Sequence, residues 1–294
     1  MNTPATQRPL PIVLVNGELT SADAGSISPR DRGFTLADGL FETMLVHNGV
    51  VFRLERHLAR LSHGLRVMQI PEPADLRHWV QQAIVHAGTS EASLRLTVTR
   101  GPAPGGIAPP ADTRPTTAIT VAPTPGAYPG TYRAGLRAIV SSGRRNPRSM
   151  SAGLKTLAYT DSVLAWLEAQ RAGADEALLL DTDGHCSEAT ASNLFVSYRG
   201  ALLTPPTTCA ALPGITREAV LELAASLNIL AQERPFGIEE LAAADEVFLT
   251  SSLRGLAPVQ TVDGRPVGAG VTGDVTARLA DAYEVLVNRE CGAA

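Results

Sequence analysis

At 294 residues, 44% hydrophobic and 18% charged, the chain has room for one large domain or two ordinary ones, which excludes a small scaffold held together by staples. A net charge of −4 gives no global basic field for a polyphosphate, so nucleic acid is excluded as the main partner. No run reaches about 18 uninterrupted apolar residues, and the opening MNTPATQRPLPIVLV lacks a cationic start followed by an apolar stretch of signal length; no membrane partner is expected, and the expected location is the cytoplasm.

In chain order, the segment IVLVNGEL (12–19) places Asn16-Gly17 between apolar stretches, and FETMLVHNGVVFRL (41–54) repeats the device around Asn48-Gly49. Both predict β-hairpins. LERHLARLSHGLRVM then puts Leu54, Leu58, Leu61, Leu65 and Met68 at spacings of three and four, the stripe of an amphipathic helix. A second helix is predicted over about 74–87, followed by strands at SLRLTVTRG (93–101) and TTAITVAP (116–123), joined by the Pro/Gly-rich loop PAPGGIAPPADTRP.

Residues 123–131, PTPGAYPGT, hold three Pro and two Gly, which predicts a linker between a small domain (1–122) and a larger one (132–294). Beyond it the pattern predicts a strand at GLRAIVSS, a helix over 158–172, and strands at EALLLD and NLFVS around the turn Thr182-Asp183-Gly184. A helix opening at ITREAVLELAASL and a strand at EVFLT follow. There is no fixed-period repeat and no low-complexity tract, so the fold class is mixed α/β in two domains.

The three cysteines, Cys186, Cys209 and Cys291, have neither paired nor metal-like spacing, and the histidines lack HxxxH or CxxC partners; free thiols and no metal site are expected. The basic residues are sharper. Of 25, every one is Arg except Lys155. A GC-rich genome explains the arginines but not the exception. An amine can lose its proton when desolvated and form a Schiff base, whereas a guanidinium cannot, so a lone lysine invites a chemical reason. In SAGLKTLAYTDSVLAW, Lys155 falls on a strand end or loop leading into a helix that bears Tyr159, a constrained seat for an amine.

Other segments supply complementary groups. DGHCSEATASNLFV sets Glu188 between a turn and a strand; the plain alternative is a turn residue. In LPGITREAVLEL, Gly214 permits close backbone approach, and Ile215 and Thr216 open a helix whose free N–H groups suit a phosphate monoester; the alternative is an ordinary helix capped by the threonine. FLTSSLRG ends an apolar strand with Ser251 and Ser252, a second candidate phosphate contact. An amine, a carboxylate, a helix start and a hydroxyl loop together match the needs of pyridoxal phosphate: Schiff base, partner for the pyridinium nitrogen and phosphate clamp.

On these residues the sequence resembles the fold type IV pyridoxal-phosphate enzymes, which include branched-chain and D-amino-acid aminotransferases, R-selective amine transaminases and 4-amino-4-deoxychorismate lyases. The resemblance runs through DRGFTLADGLFET (31–43), HLARL (57–61), TRG (99–101), GLKTL (153–157), EATASNLF (188–195), LPGITRE (212–218) and EVFLTSS (246–252). It implies a small N-terminal α/β domain, a larger barrel-like C-terminal α/β domain and a homodimer. It also implies that Lys155 is the Schiff-base lysine and proton carrier, that Glu188 pairs with the ring nitrogen and that Tyr159 lies near the cofactor oxygen. Arg60, Gly214, Ile215, Thr216 and Ser251 or Ser252 are implied as phosphate contacts, with Leu212 against the ring. For Arg60 the plain alternative is an exposed helix arginine.

The substrate side departs from the lyases and D-amino-acid enzymes. Where relatives tend to carry an arginine for a substrate carboxylate, this chain has Gly105 and Gly106 followed by Ile107, and Phe41 stands in place of a tyrosine. Both changes make the pocket less polar. Arg32, Arg100 and Arg254 are the candidates for a displaced carboxylate contact, each with an internal ion pair as its plain alternative. The expectation is an aminotransferase acting on D-amino acids or R-amines with a 2-oxo acid as acceptor. The alternatives are the lyase, releasing p-aminobenzoate and pyruvate, and a branched-chain L-amino-acid aminotransferase.

Overall fold

The computed structural model describes residues 11–21, 26–124 and 135–292. The chain divides into two compact units: Met1–Pro125 with Lys155–Ala158 and Val287–Ala294, and Gly126–Leu154 with Tyr159–Leu286. Apart from Pro123 and Thr124, the expected linker lies outside the described residues.

The first unit comprises β1 (Ile12–Val15), β2 (Glu18–Thr20), α1 (Arg32–Leu36), β3 (Gly39–His47), β4 (Val50–Val51), α2 (Leu54–Val67), α3 (Leu76–Ala87), β5 (Ala92–Thr99) and β6 (Thr116–Ala122). Its sheet runs β2-β1-β6-β5-β3-β4, antiparallel throughout. Both hairpins turn on the Asn-Gly pairs expected: Asn16 and Gly17 have φ of 50° and 82°, Asn48 and Gly49 of 51° and 75°. Positive φ at both central residues matches the twist of the flanking strands, and Asn-Gly tolerates it best. Helix α2 packs on β3 and α3 on β6 and β1. Leu61 and Leu65 of the α2 stripe join Leu40, Met44, Leu94 and Leu96 in a core from which water is excluded.

The second unit comprises β7 (Leu136–Arg145), α4 (Thr160–Arg171), β8 (Glu176–Asp181), β9 (Cys186–Ala189), β10 (Asn193–Tyr198), β11 (Ala201–Thr204), α5 (Ile215–Ser226), β12 (Ala231–Glu233), α6 (Ile238–Ala242), β13 (Glu246–Ser251), β14 (Gly255–Val262), β15 (Arg265–Pro266) and α7 (Asp274–Cys291), whose last residues fall in the first unit. The sheet path β12-β11-β10-β13-β14-β7-β8-β9 returns on itself, because β9 also pairs with β10. Strands β10, β13, β14, β7, β8 and β9 therefore form a closed ring, the barrel the resemblance implied. A single registered pair, Asn193 with Glu188, makes the closure. Along β8, Leu178 and Leu180 belong to the large apolar cluster with Leu194, Val196, Val247 and Leu249, while Ala177 and Leu179 pack with Ala165 and Ala169 of α4. A strand buried on both faces reads as the continuous run EALLLD.

Three sequence readings need correction. The turn Thr182-Asp183-Gly184 joins β8 to β9, not to NLFVS; β9 is only four residues, all buried, and shows no alternation to betray it. The helix after Lys155 begins at Thr160, so Tyr159 precedes it as the capping residue. The strand expected at GLRAIVSS runs on to Arg145, past an irregularity in its pairing with β8.

Candidate active site

In the first unit, the segment bearing Lys155 is stitched to the start of β3. The Phe41 N–H donates to the Lys155 carbonyl at 3.0 Å, the Leu157 N–H donates to the Gly39 carbonyl at 3.0 Å, and Leu40 bridges Thr156. The backbone of Lys155 is thus held on both sides, and its half-buried side chain sets Nζ 4.3 Å from the centre of the Phe41 ring. That ring is buried and also carries the Arg95 guanidinium at 3.8 Å. An aromatic face attracts cations.

Residue alternation along β3 puts Glu42 on the opposite face from Phe41, against α2. There the Glu42 carboxylate accepts from Arg60 Nε at 2.8 Å and Nη2 at 2.6 Å, and pairs with His57 Nδ1 at 2.7 Å. His57 and Arg60 share a helix face because they are three residues apart. Burial pushes the Glu42 carboxyl up, but the hydrogen bonds and charges of Arg60 and His57 together outweigh it and hold the group at about 2. Burial lowers His57 below its ordinary value despite the raising effect of Glu42. The Arg60 side chain is 11% exposed, so it is not an ordinary surface arginine.

The candidate substrate arginines of this unit come together around Asp38. Arg32 Nε and Arg100 Nε each lie 2.7 Å from Asp38 Oδ2. Arg32 also donates to the carbonyls of Gly106 and Ile107, both at 2.9 Å, and Arg100 to those of Gln69 and Met68. Arg32 therefore holds the Gly105–Ile107 loop by its backbone, while the Ile107 side chain is exposed.

In the second unit, Glu188 is buried on β9, opposite Leu179 of β8. Its Oε1 lies 3.1 Å from Arg145 Nη2 and its Oε2 accepts the Leu212 N–H at 2.9 Å. Asn193 Nδ2 donates to the Leu212 carbonyl at 2.8 Å, so the segment leading into α5 is tied to the barrel seam on two sides. Gly214 is the N-cap of α5 and no side chain caps the helix. Thr216 is not the cap; it is buried in the first turn, its hydroxyl 3.5 Å from Tyr283 Oη. A Cβ at Gly214 would lie 1.9 Å from Asn193 Oδ1, so only glycine fits this approach. Ser251 and Ser252 are half-buried at the end of β13, and the neighbouring Thr250 Oγ1 is buried without a partner among the described residues. Arg254 pairs with Glu176 at 2.8 Å, a buried carboxylate that also takes the Thr190 hydroxyl.

Glu42, His57, Asp38, Arg145 and Tyr283 escaped sequence reasoning. Asn193 and Glu42 stand inside the motif blocks, but Arg145 carries no local signal, since it reaches Glu188 only through the pairing of β7 with β8 and β8 with β9.

Residues 39–262 match the family described as amino-transferase class IV. The chain belongs to the class IV aminotransferases. It is 33% identical to a putative branched-chain-amino-acid aminotransferase of Methanocaldococcus jannaschii, over 92% of this chain and 95% of that protein. The structure of the Escherichia coli branched-chain aminotransferase superposes with a TM-score of 0.89 at 32% identity, covering 95% of each chain. That of the 4-amino-4-deoxychorismate lyase from Pseudomonas aeruginosa does so at 0.82 and 35% identity, covering 93% of this chain and 98% of the other.

The protein is thus a pyridoxal-phosphate-dependent transaminase. Its own residues fit the cofactor. A helix N-terminus with no side-chain cap, closed to any Cβ at Gly214, suits a phosphate. A buried carboxylate braced by an arginine and a backbone N–H suits a cationic ring nitrogen. Lys155 carries the chain's one lysine amine.

Proposed function

We propose that the protein transfers the amino group of a branched-chain or similarly apolar L-amino acid to a 2-oxo acid. One observation carries the reading: the three arginines that the sequence offered to a second substrate carboxylate are tied to internal partners, Arg32 and Arg100 to Asp38 and to backbone carbonyls, Arg254 to Glu176, and the Arg95 guanidinium lies on the Phe41 ring. An acidic substrate side chain that turned to Arg32, Arg100 or Arg254 would need an ion pair to break, and an unpaired buried carboxylate costs several kcal/mol. The names of the relatives support the branched-chain class. The sequence alone favoured D-amino acids or R-amines, which share the apolar requirement and differ in handedness.

When bound, pyridoxal phosphate supplies the electron sink for the pair left at the substrate Cα as its proton departs. Lys155 is the amine that would hold the cofactor and then carry that proton, with its Nζ beside the Phe41 ring. Glu188 pairs with the protonated ring nitrogen, with Arg145 and the Leu212 N–H fixing the carboxylate. Arg60, the N–H groups of Ile215 and Thr216, and the hydroxyls of Thr216 and Ser251 or Ser252 would hold the phosphate. Leu212 would contact the ring and Tyr159 its oxygen, as the resemblance implies.

The test follows the visible absorbance of the bound cofactor in single half-reactions. L-Leucine, L-isoleucine and L-valine are expected to react at least roughly tenfold more efficiently than L-glutamate. Faster reaction of D-leucine or an R-amine would move the assignment to the D-amino-acid or amine enzymes. Release of p-aminobenzoate from aminodeoxychorismate would move it to the lyases.

A further inference from the structure

A second constellation in the barrel unit takes no part in the chemistry above. Asp181 ends β8, His185 ends the turn into β9, and Cys209 ends a single 3-10 turn, Thr207–Cys209. One ligand atom from each lies within 4.8 Å of the others. The Asp181 carboxylate is oriented from one side only: Oδ1 accepts the N–H groups of Asp183 at 2.9 Å and His185 at 2.8 Å, as in an ordinary Asx turn. The turn needs nothing more. Oδ2 nevertheless stands 3.3 Å from His185 Nδ1, and the Cys209 thiol hydrogen-bonds the same carboxylate. Asp181 and Cys209 are each 2% exposed, whereas the His185 side chain is 41% exposed, so the cluster has buried ligands on one side and an entry on the other.

We propose that Asp181, His185 and Cys209 form a zinc(II) site, with one carboxylate oxygen, one imidazole nitrogen and one thiolate sulfur as protein ligands and water at the fourth position. Three donors of this kind with an open fourth place are a tetrahedral zinc set. Sulfur disfavours calcium and magnesium, which prefer oxygen alone. On binding, the Cys209 S–H bond breaks, a Zn–S bond forms, and the proton leaves to solvent. Motif scanning missed the set because the aspartate and histidine come from one turn and the cysteine from a segment distant in sequence. Cys209 lies three residues before Leu212, whose N–H holds Glu188, and Asp181 and His185 flank the turn into the strand carrying Glu188. The ion would clip these two segments together.

Zinc chloride titrated by calorimetry into chelator-stripped holoenzyme, in a thiol-free and non-coordinating buffer, is expected to bind about one ion per chain at micromolar or lower concentration with release of about one proton. Zinc-edge X-ray absorption should show one sulfur at about 2.3 Å. His185→Ala and Cys209→Ser should each weaken binding at least roughly tenfold, while Cys291→Ser leaves it unchanged. Because His185 is half-exposed, its substitution spares the fold and decides the matter even if Cys209→Ser does not fold. Absence of stoichiometric binding to the parent protein, no sulfur in the zinc shell, or undiminished binding by His185→Ala would overturn the site.

Discussion

Lys155 is positioned through its backbone as well as its side chain: hydrogen bonds with Phe41 and from Leu157 to Gly39 fix the peptide on either side, and Nζ sits over the Phe41 ring. With no other lysine in the chain, borohydride reduction followed by peptide mapping should place the pyridoxyl label on the Lys155 peptide alone, and Lys155→Ala should abolish both label and turnover. Arg60 depends on Glu42 for its orientation. Arg60→Ala is expected to weaken cofactor binding roughly ten- to a hundredfold, the loss of one charge-assisted contact. Equilibrium dialysis against pyridoxal phosphate measures it, and unchanged affinity would remove Arg60 from the phosphate site. The same cluster sets an acid limit. Glu42 is held at about 2, so its stabilising effect is present above the ordinary carboxylate range and is lost as pH falls towards 2. His57 is lowered from 6.5 and favours the fold as the neutral ring, so its contribution is complete above about 6.5 and is lost as pH falls below that value. Urea midpoints should therefore decline from about pH 6.5 downward, and His57→Gln should flatten the upper part of that decline if the variant folds.

At the scale of elements, the barrel wall is braced by Phe195 of β10 and Phe248 of β13, registered opposite each other with rings stacked 5.0 Å apart. Phe195→Ala should cost about 3–5 kcal/mol, read from denaturant unfolding, because both rings lie in a fully buried wall that cannot collapse around the gap. What was legible in the sequence at this scale was local chemistry. Asn16-Gly17 and Asn48-Gly49 demand turns, and the leucine spacing of residues 54–68 demands a helix, whatever the rest of the chain does. Strand β9 was illegible for the opposite reason: CSEA owes its conformation to neighbours on both sides and to no propensity of its own. The N-terminus of α5 lay between these cases. Gly214 and Thr216 were visible, but which of them capped the helix depended on Asn193 crowding the glycine, a contact between residues far apart in sequence.

For the whole molecule, the motif blocks disclosed the family and therefore the barrel, yet the pairs that fix the candidate site were invisible, because Arg145 meets Glu188 across two strand pairings. The resemblance also implies a homodimer. In the first unit Phe34 and Ile107 are 78% and 88% exposed, apolar surface of the kind a second copy would cover. Sedimentation should give a dimer at assay concentration, and an active monomer would contradict the implication.

The closure of the barrel at Glu188 and Asn193 has a kinetic side. A ring has no edge strands to fray, so its weakest point is the seam, and here the seam is one registered pair wide. The carboxylate proposed to face the cofactor sits on that pair, and the amide of its partner strand holds the segment that opens α5. On the proposed reading, opening of the seam withdraws one of the cofactor's partners, and a ligand that binds only the closed ring slows the opening by mass action. Amide hydrogen exchange along residues 186–193 should slow markedly on adding pyridoxal phosphate, while the stacked wall at Phe195 and Phe248 exchanges at the same rate with and without it.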